Sequence, residues 1–344
     1  MATPGVSRRQ MLGWMAAGGV AGVAAMDTRL AAAVPAAEVP TEPQFVDSYH
    51  GSQEYWSRLK TLAGNSDGVA TEVTIGQTYE KRSIRGMSVK IPGVTPKKTI
   101  VVVGGLRARE WIGPAACVQA CAQFITQART HSTVGNLLRT YEVAFVPIVN
   151  VDGYEYTRST DRQWVKNRQP NSDSGCTGTH LTSNSDTHWG NGSTDPCSEE
   201  YQGPAAFSAP ESHAVANYLR AKRNVIGLLD VGGGGLSLAH PYGYSPTKMP
   251  TNVDRQDQVG KKMATAMASA RGTSYRQGPA AKLGGPRYGM LQDWAYDSAN
   301  IRYSYELRMS HEVLTPPEHI RPTSEELYAA LLALGNTVKK LESL

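Results

Sequence analysis

Along the chain from Tyr49, apolar positions fall into runs whose period changes from helical to strand-like and back. Tyr49, Tyr55, Leu59 and Leu62 recur at near-helical spacing and Gly64 follows, which predicts a helix stopping there. TEVTIGQTYE and IRGMSVKI, beginning at Thr71 and Ile84, read as two strands around a turn. KTIVVVGGL, from Lys98, is apolar without alternation, the pattern of a strand buried on both faces. GPAACVQACAQFITQA, from Gly113, predicts a helix, and YEVAFVPIVNV, from Tyr141, another buried strand. Ser208 and Glu211 have capping-box spacing for a helix reaching about Asn224. VIGLLDV from Val225 is the next buried strand, DRQDQVGKKMATAMASA from Asp254 a helix, and NIRYSYELR from Asn300 a strand. Thr323 and Glu326 are then expected to cap a final helix that turns Leu327, Leu331, Leu334, Val338 and Leu341 inward.

Helices alternating with buried strands predict an α/β fold, a mixed but mostly parallel sheet with helices on both faces. No repeat, linker or compositional break divides it, so a single domain is expected. Ligands of such sheets lie at the carboxyl ends of the strands. That gathers GGLRARE, NVDGYEY, DVGGGG and YELRMS around one cleft.

Composition narrows the partners. The 344 residues are 40% hydrophobic and 19% charged, ordinary for a globular chain and against disorder or coiled coil. The net charge of +5 is spread without a basic run, so a small-molecule or peptide-like ligand is expected rather than nucleic acid. The first segment is different: Arg8 and Arg9 precede a Gly/Ala-rich apolar stretch and then LAAAVPAA, a pattern resembling a twin-arginine export signal. The expected division is residues 1–33 as signal and 34–344 as the domain, exported to the cell envelope or beyond. The apolar stretch is too short and glycine-rich for a stable membrane span.

Export permits disulfides. Cys176 and Cys197 flank a polar loop with little apolar material to hold it, where a bridge has an evident role. Cys117 and Cys121, four apart on one helix face, read as buried thiols.

The ordered set of motifs resembles the zinc carboxypeptidase family of the A/B type, over nearly the whole chain after the signal. GLRAREWIG is similar to its first metal motif and VPIVNVDGYEYTRSTDRQW to the strand and loop that follow. CTGTHLTSNSDTHWG with PCSEEYQGPAAFSAPE resembles its disulfide loop, AHPYGYS its YPYGY segment, and QDWAYDSANIRYSYELRMSHEV its C-terminal third. The resemblance implies a single-domain carboxypeptidase-like fold and a zinc held by two histidines and a glutamate. Here the glutamate matches as Glu110, but the histidine positions carry Arg107 and Gly232. A guanidinium has no lone pair to give a metal. No cofactor is therefore expected. The family's carbonyl-polarising arginine falls at Val165, its carboxylate clamp at Thr182 and Ser183, and its mobile tyrosine near Gly285, with Tyr288 as a stand-in.

Glu306, in YELR, stands at the family's general acid/base position. Without zinc, Glu110 and Glu306 would repel and one would take up a proton, and Arg107 is expected either to bridge them as a built-in cation or to point to solvent and pair with Glu110 at the surface. Arg109 matches a substrate-binding arginine or makes a structural ion pair. The run Gly232 to Gly235 reads as a widened cleft floor, Gly232 and Gly233 touching ligand, or as a flexible turn; Asp230 before it is expected to make a structural hydrogen bond or to point inward as a third carboxylate. His180, His188, His213 and His240 lack the spacing of a relocated metal site. Three functions follow: a metal-free acid/base enzyme using Glu306 and Glu110 with Arg107, Arg109, Gly232, Gly233 and Tyr288 holding a peptide-like or natural-product substrate; a non-catalytic protein binding a peptide or glycan; or a zinc carboxypeptidase with unusual ligands.

Overall fold

The computed structural model describes residues 45–172 and 174–344. The proposed export signal and the start of the expected domain lie outside those residues. Strands β1 (Ala70–Gln77), β2 (Ser83–Val89), β3 (Lys98–Gly104), β4 (Tyr141–Val146), β5 (Val225–Gly232), β6 (Gly235–His240), β7 (Arg276–Pro279) and β8 (Tyr303–Ser310) form one sheet in the order β1-β2-β4-β3-β5-β8-β6-β7. β4, β3, β5 and β8 run parallel at its centre, and β1, β2 and β6 pair antiparallel on either side. The four central strands are the continuous apolar runs of the sequence, buried along nearly their whole length.

Nine helices cover the sheet among the described residues: α1 (Ser52–Gly64), α2 (Ile112–Gln127), α3 (Ser132–Thr140), α4 (Val151–Ser159), α5 (Pro210–Ala221), α6 (Val253–Arg271), α7 (Ala280–Gly284), α8 (Leu291–Asp297) and α9 (Ile320–Leu341). They make two apolar layers, one on each face. One joins Phe124 of α2, Met263 of α6 and Leu327, Leu331 and Leu334 of α9; the other joins Val215 of α5 and Trp294 of α8 to Val101 and Val103. The mixed, mostly parallel sheet with helices on both faces is therefore the observed architecture.

Several local expectations are corrected. The run from Tyr141 is strand only to Val146; Asn150 then accepts a hydrogen bond from the Gly153 amide at 3.0 Å, capping α4 where more strand was expected. Ser208 and Glu211 make no capping box. The Ser208 hydroxyl accepts from Asn184, and the buried Glu211 carboxylate accepts from the Tyr79 amide and the Asn167 side chain. Long-range polar partners outcompete the local cap at both residues. α9 starts at Ile320, ahead of the Thr323 expected as its cap. Tyr49 lies before α1, its hydroxyl donating to the Thr315 carbonyl.

Candidate functional site

The loop after β3 carries Arg107 and Glu110 to the carboxyl ends of the central strands, and β5 and β8 bring Asp230 and Glu306 side by side in register. Arg308 follows Glu306 by two residues and so shares its face of β8. The loop after α7 supplies Arg287. Glu110 and Glu306 are 3% and 1% exposed, so every charge beside them acts through poorly screened surroundings.

Three guanidiniums converge on these two carboxylates. Arg107 Nη2 donates to Glu306 Oε1 at 3.1 Å, while its Nε lies 3.9 Å from Glu110 Oε1. Arg287 forks onto Glu306, Nη1 to Oε1 at 3.0 Å and Nη2 to Oε2 at 2.6 Å. Arg308 Nη2 donates to Glu110 Oε1 at 2.9 Å, and the Gly233 amide donates to Glu110 Oε2 at 3.0 Å. Burial alone would raise the Glu306 pKa, but Arg287, Arg107 and Arg308 together outweigh it and hold the carboxyl well below its usual range. Arg107 thus stands between the two carboxylates, and Arg287 and Arg308 join it, so Glu306 stays ionised. Asp230 behaves in the opposite way. Its burial and the neighbouring Glu306 charge push it up to about 7, against the pull of Arg107 and Arg308.

Gly232, Gly233 and Gly234, from the end of β5 onward, close the floor and do not widen it. A Cβ on Gly232 would stand 2.3 Å from Glu110 Oε2, one on Gly233 2.8 Å from the Ser310 hydroxyl, and one on Gly234 2.6 Å from a Val313 methyl. Gly234 also has a φ of 74°, in the left-handed region. The expectation that Gly232 and Gly233 present backbone to a ligand is corrected: Glu110 fills that space and takes the Gly233 amide. Arg109 makes an ion pair, Nη1 donating to Glu199 at 2.9 Å and to the Gln163 carbonyl at 3.0 Å, while its side chain also lines the cleft.

Above the cluster lies a cavity of about 350 Å³ lined by Arg107, Arg109, Arg287, Tyr288, His180, Ser183 and their neighbours. Tyr288 is half-buried on its wall, and Val165, Thr182 and Ser183, at the family's polarising and clamp positions, are wall residues too. His180 is 3% exposed, its Nδ1 3.0 Å from the Ser183 hydroxyl and 3.2 Å from Glu200. Burial first, then the charges of Arg107, Arg308, Arg109 and Arg287, hold its imidazole well below the usual histidine range. Of the other histidines, His188 stacks on Tyr244, His240 pairs with Asp257 at 3.0 Å, and His213 lies exposed on α5 near Asn217.

A zinc of the family type does not fit these residues. Arg107 cannot ligate, the volume that a side chain at Gly232 would need is filled by Glu110, and both Glu110 oxygens are engaged by Arg308 and Gly233. Among the described residues no group of three His, Cys, Asp or Glu is placed to hold a metal ion. The loop nearby is tied by the Cys176–Cys197 disulfide, while Cys117 and Cys121 are buried free thiols.

The zinc carboxypeptidase sequence pattern matches residues 55–330. The chain belongs to the zinc carboxypeptidase family. It is 32% identical to human carboxypeptidase O over 296 residues, 84% of this chain and 79% of the relative. It is equally 32% identical, over 320 residues, to a protein of Schizosaccharomyces pombe named inactive metallocarboxypeptidase ecm14, covering 86% of this chain and 63% of the relative. Among solved structures, thrombin activatable fibrinolysis inhibitor superposes with a TM-score of 0.81 at 29% identity, covering 86% and 75% of the two chains. Carboxypeptidase A from Helicoverpa armigera superposes at 0.80 with 25% identity, covering 87% and 76%. Within this family the chain is a degenerate member, retaining Glu110 of the three zinc ligands and carrying Arg107 and Gly232 at the other two.

Arg287 and Arg308 were not anticipated from sequence. Arg308 had a signal, since residues two apart on a strand share a face, and Glu306 had already been singled out. Arg287 had none: it sits in a Gly/Pro-rich loop that only the tertiary fold lays against β8.

Proposed function

We propose that this chain is an exported, non-catalytic member of the zinc carboxypeptidase family whose old cleft binds a peptide-like ligand. The observation that carries this is the convergence of Arg107, Arg287 and Arg308 on Glu110 and Glu306 where the family's resemblance places zinc. A fixed cationic cluster supplies the charge neutralisation a metal would give, but neither an open coordination position nor an activated water. Glu306, shared by Arg107 and Arg287 and held far below neutrality, is a feeble base. The remaining cavity, about 350 Å³, keeps the size of a small-ligand site. Export is supported by the Arg8–Arg9 pattern, and the Cys176–Cys197 bridge suits an oxidising compartment. Among the described residues no helix is long and apolar enough to cross a membrane.

The test is to incubate the protein with peptides bearing free C-termini, with and without added zinc, and to follow both C-terminal residue release and peptide binding. Binding without release is expected. Release that a chelator abolishes would overturn the reading in favour of an active metalloenzyme.

A second reading, a metal-free acid/base enzyme, is favoured by one observation. Asp230 lies in register beside Glu306 on the neighbouring strand, and its burial and that charge push it up to about 7, near the pH at which a proton would be exchanged. Under that reading Asp230 moves the proton and Glu306 positions charge. Asp230→Asn would then abolish turnover of any substrate found while leaving its binding intact.

A further inference from the structure

The walls of the cleft cavity hold more cationic donors than acceptors. Hydrogen bonds from Arg107, Arg287 and Arg308 to Glu110 and Glu306 use only part of three guanidiniums. Arg287 Nε, Arg109 Nε and Arg308 Nη1 are buried with no hydrogen-bond acceptor among the described residues; Arg308 Nη1 lies 3.6 Å from Glu306 Oε1, beyond hydrogen-bond reach. Buried charged donors without acceptors are costly, and their clustering on one cavity is not accounted for by the fold.

Glu110, Glu306, Glu199 and Glu200 match the four arginines in number, so the surplus is one of N–H donors and not of charge. Glu200 on the cavity wall and Glu199 nearby have side chains 66% and 60% exposed, where solvent screens them, and Glu199 already answers Arg109. Asp230, buried on β5 beside Glu306, is pushed up to about 7 and carries only part of a charge near neutrality. His180, 3% exposed, lines the same cavity beside these arginines. After its burial, Arg107, Arg308, Arg109 and Arg287 hold its imidazole below the usual histidine range.

We propose that this cavity is an oxyanion site, in which a phosphate, sulfate or similarly compact oxyanion borne by the ligand docks against Arg287 and Arg308, with the Ser183 and Thr182 hydroxyls beside it. An oxyanion offers acceptors on every side, whereas a neutral peptide group offers one carbonyl. Arg287 is the point of entry, because its side chain is 35% exposed while those of Arg107 and Arg308 are 11% and 14% exposed. The inference rests on the ligand-binding reading above and names the chemistry it selects.

The experiment is isothermal titration of the full chain with inorganic phosphate and with inorganic sulfate, at constant ionic strength held by sodium chloride. Saturable binding is expected, weakened at least about tenfold in Arg287→Gln, a loss of one charge-assisted anchor. Should Arg287→Gln fail to fold, Ser183→Ala carries the test, with several-fold weaker binding expected. No heat beyond that of chloride, or binding unchanged in the folded variants, overturns the inference. Titration with O-phosphoserine and with a phosphorylated peptide then distinguishes a free anion from one carried on a larger ligand. A protein that ignores phosphate and sulfate yet binds an unphosphorylated peptide loses this inference and keeps the binding reading. One that releases C-terminal residues loses the binding reading whatever the anions do.

Discussion

Arg107 replaces a ligand that bonds a metal with a cation that is the counter-charge itself. Its pKa is raised because Glu110, Glu306 and Asp230 together outweigh the cost of its burial. Arg107→Leu removes that cation and leaves two nearly inaccessible carboxylates to Arg287 and Arg308. Breaking a buried ion cluster by removing one partner is expected to cost ~3 kcal/mol in urea unfolding at pH 7, and an unchanged midpoint would remove Arg107 from any structural role. Asp230 gives a prediction of the opposite sign. Its folded pKa lies above the ordinary 3.8, so folding favours the neutral form. The group therefore weakens the fold progressively as pH rises from about 4 to about 7, and by a constant amount above. Asp230→Asn should raise stability at pH 8 by ~2 kcal/mol or more, with the gain vanishing toward pH 4. A gain equal at pH 4 and pH 8 would mean that the aspartate has the same pKa folded and unfolded. Glu306 acts in the other window: its depressed pKa stabilises the fold above the ordinary carboxylate range, and that contribution is lost as acid protonates it. Arg107, Glu110 and Glu306 were legible in the sequence because family motifs flank them. The state of Glu306 was not, since it depends on Arg287 arriving from a distant loop.

The element that most changed in meaning is the glycine run joining β5 to β6. From sequence it reads equally as a wide floor or a flexible turn, because glycine says only that a side chain is missing. The fold shows why one cannot be there. Gly232→Ala places a methyl against the Glu110 carboxylate, which is pinned by the Gly233 amide and Arg308, and is expected to cost ~1 to 3 kcal/mol. Restoring histidine at 232 alone would meet the same obstruction. Strand β6 and helix α3 were not read from sequence. β6 is a short strand that pairs antiparallel with β8 directly after the glycines, and α3 is only nine residues long with Gly135 inside it. The disulfide loop is held with little apolar burial of its own. Closing a 21-residue separation, the Cys176–Cys197 bridge is expected to contribute ~3 kcal/mol, checked by comparing thermal unfolding before and after reduction.

Across the whole molecule, the central sheet was legible because burial on both faces writes itself as continuous apolar sequence, as in Ile100 to Val103 and Val225 to Val231. The same rule that places ligands at strand carboxyl ends put Arg107, Asp230 and Glu306 into one cleft. What such patterns cannot carry is charge balance, which sums contributions from β5, β8, the loop after β3 and the loop after α7. The central claim is that this cluster, and not a metal, neutralises the cleft. It is tested most directly by elemental analysis of the folded, tag-free protein after dialysis against zinc and then against metal-free buffer. The account predicts zinc far below stoichiometric amounts, unchanged by Glu110→Gln. About one zinc per chain, lost in Glu110→Gln, would contradict it.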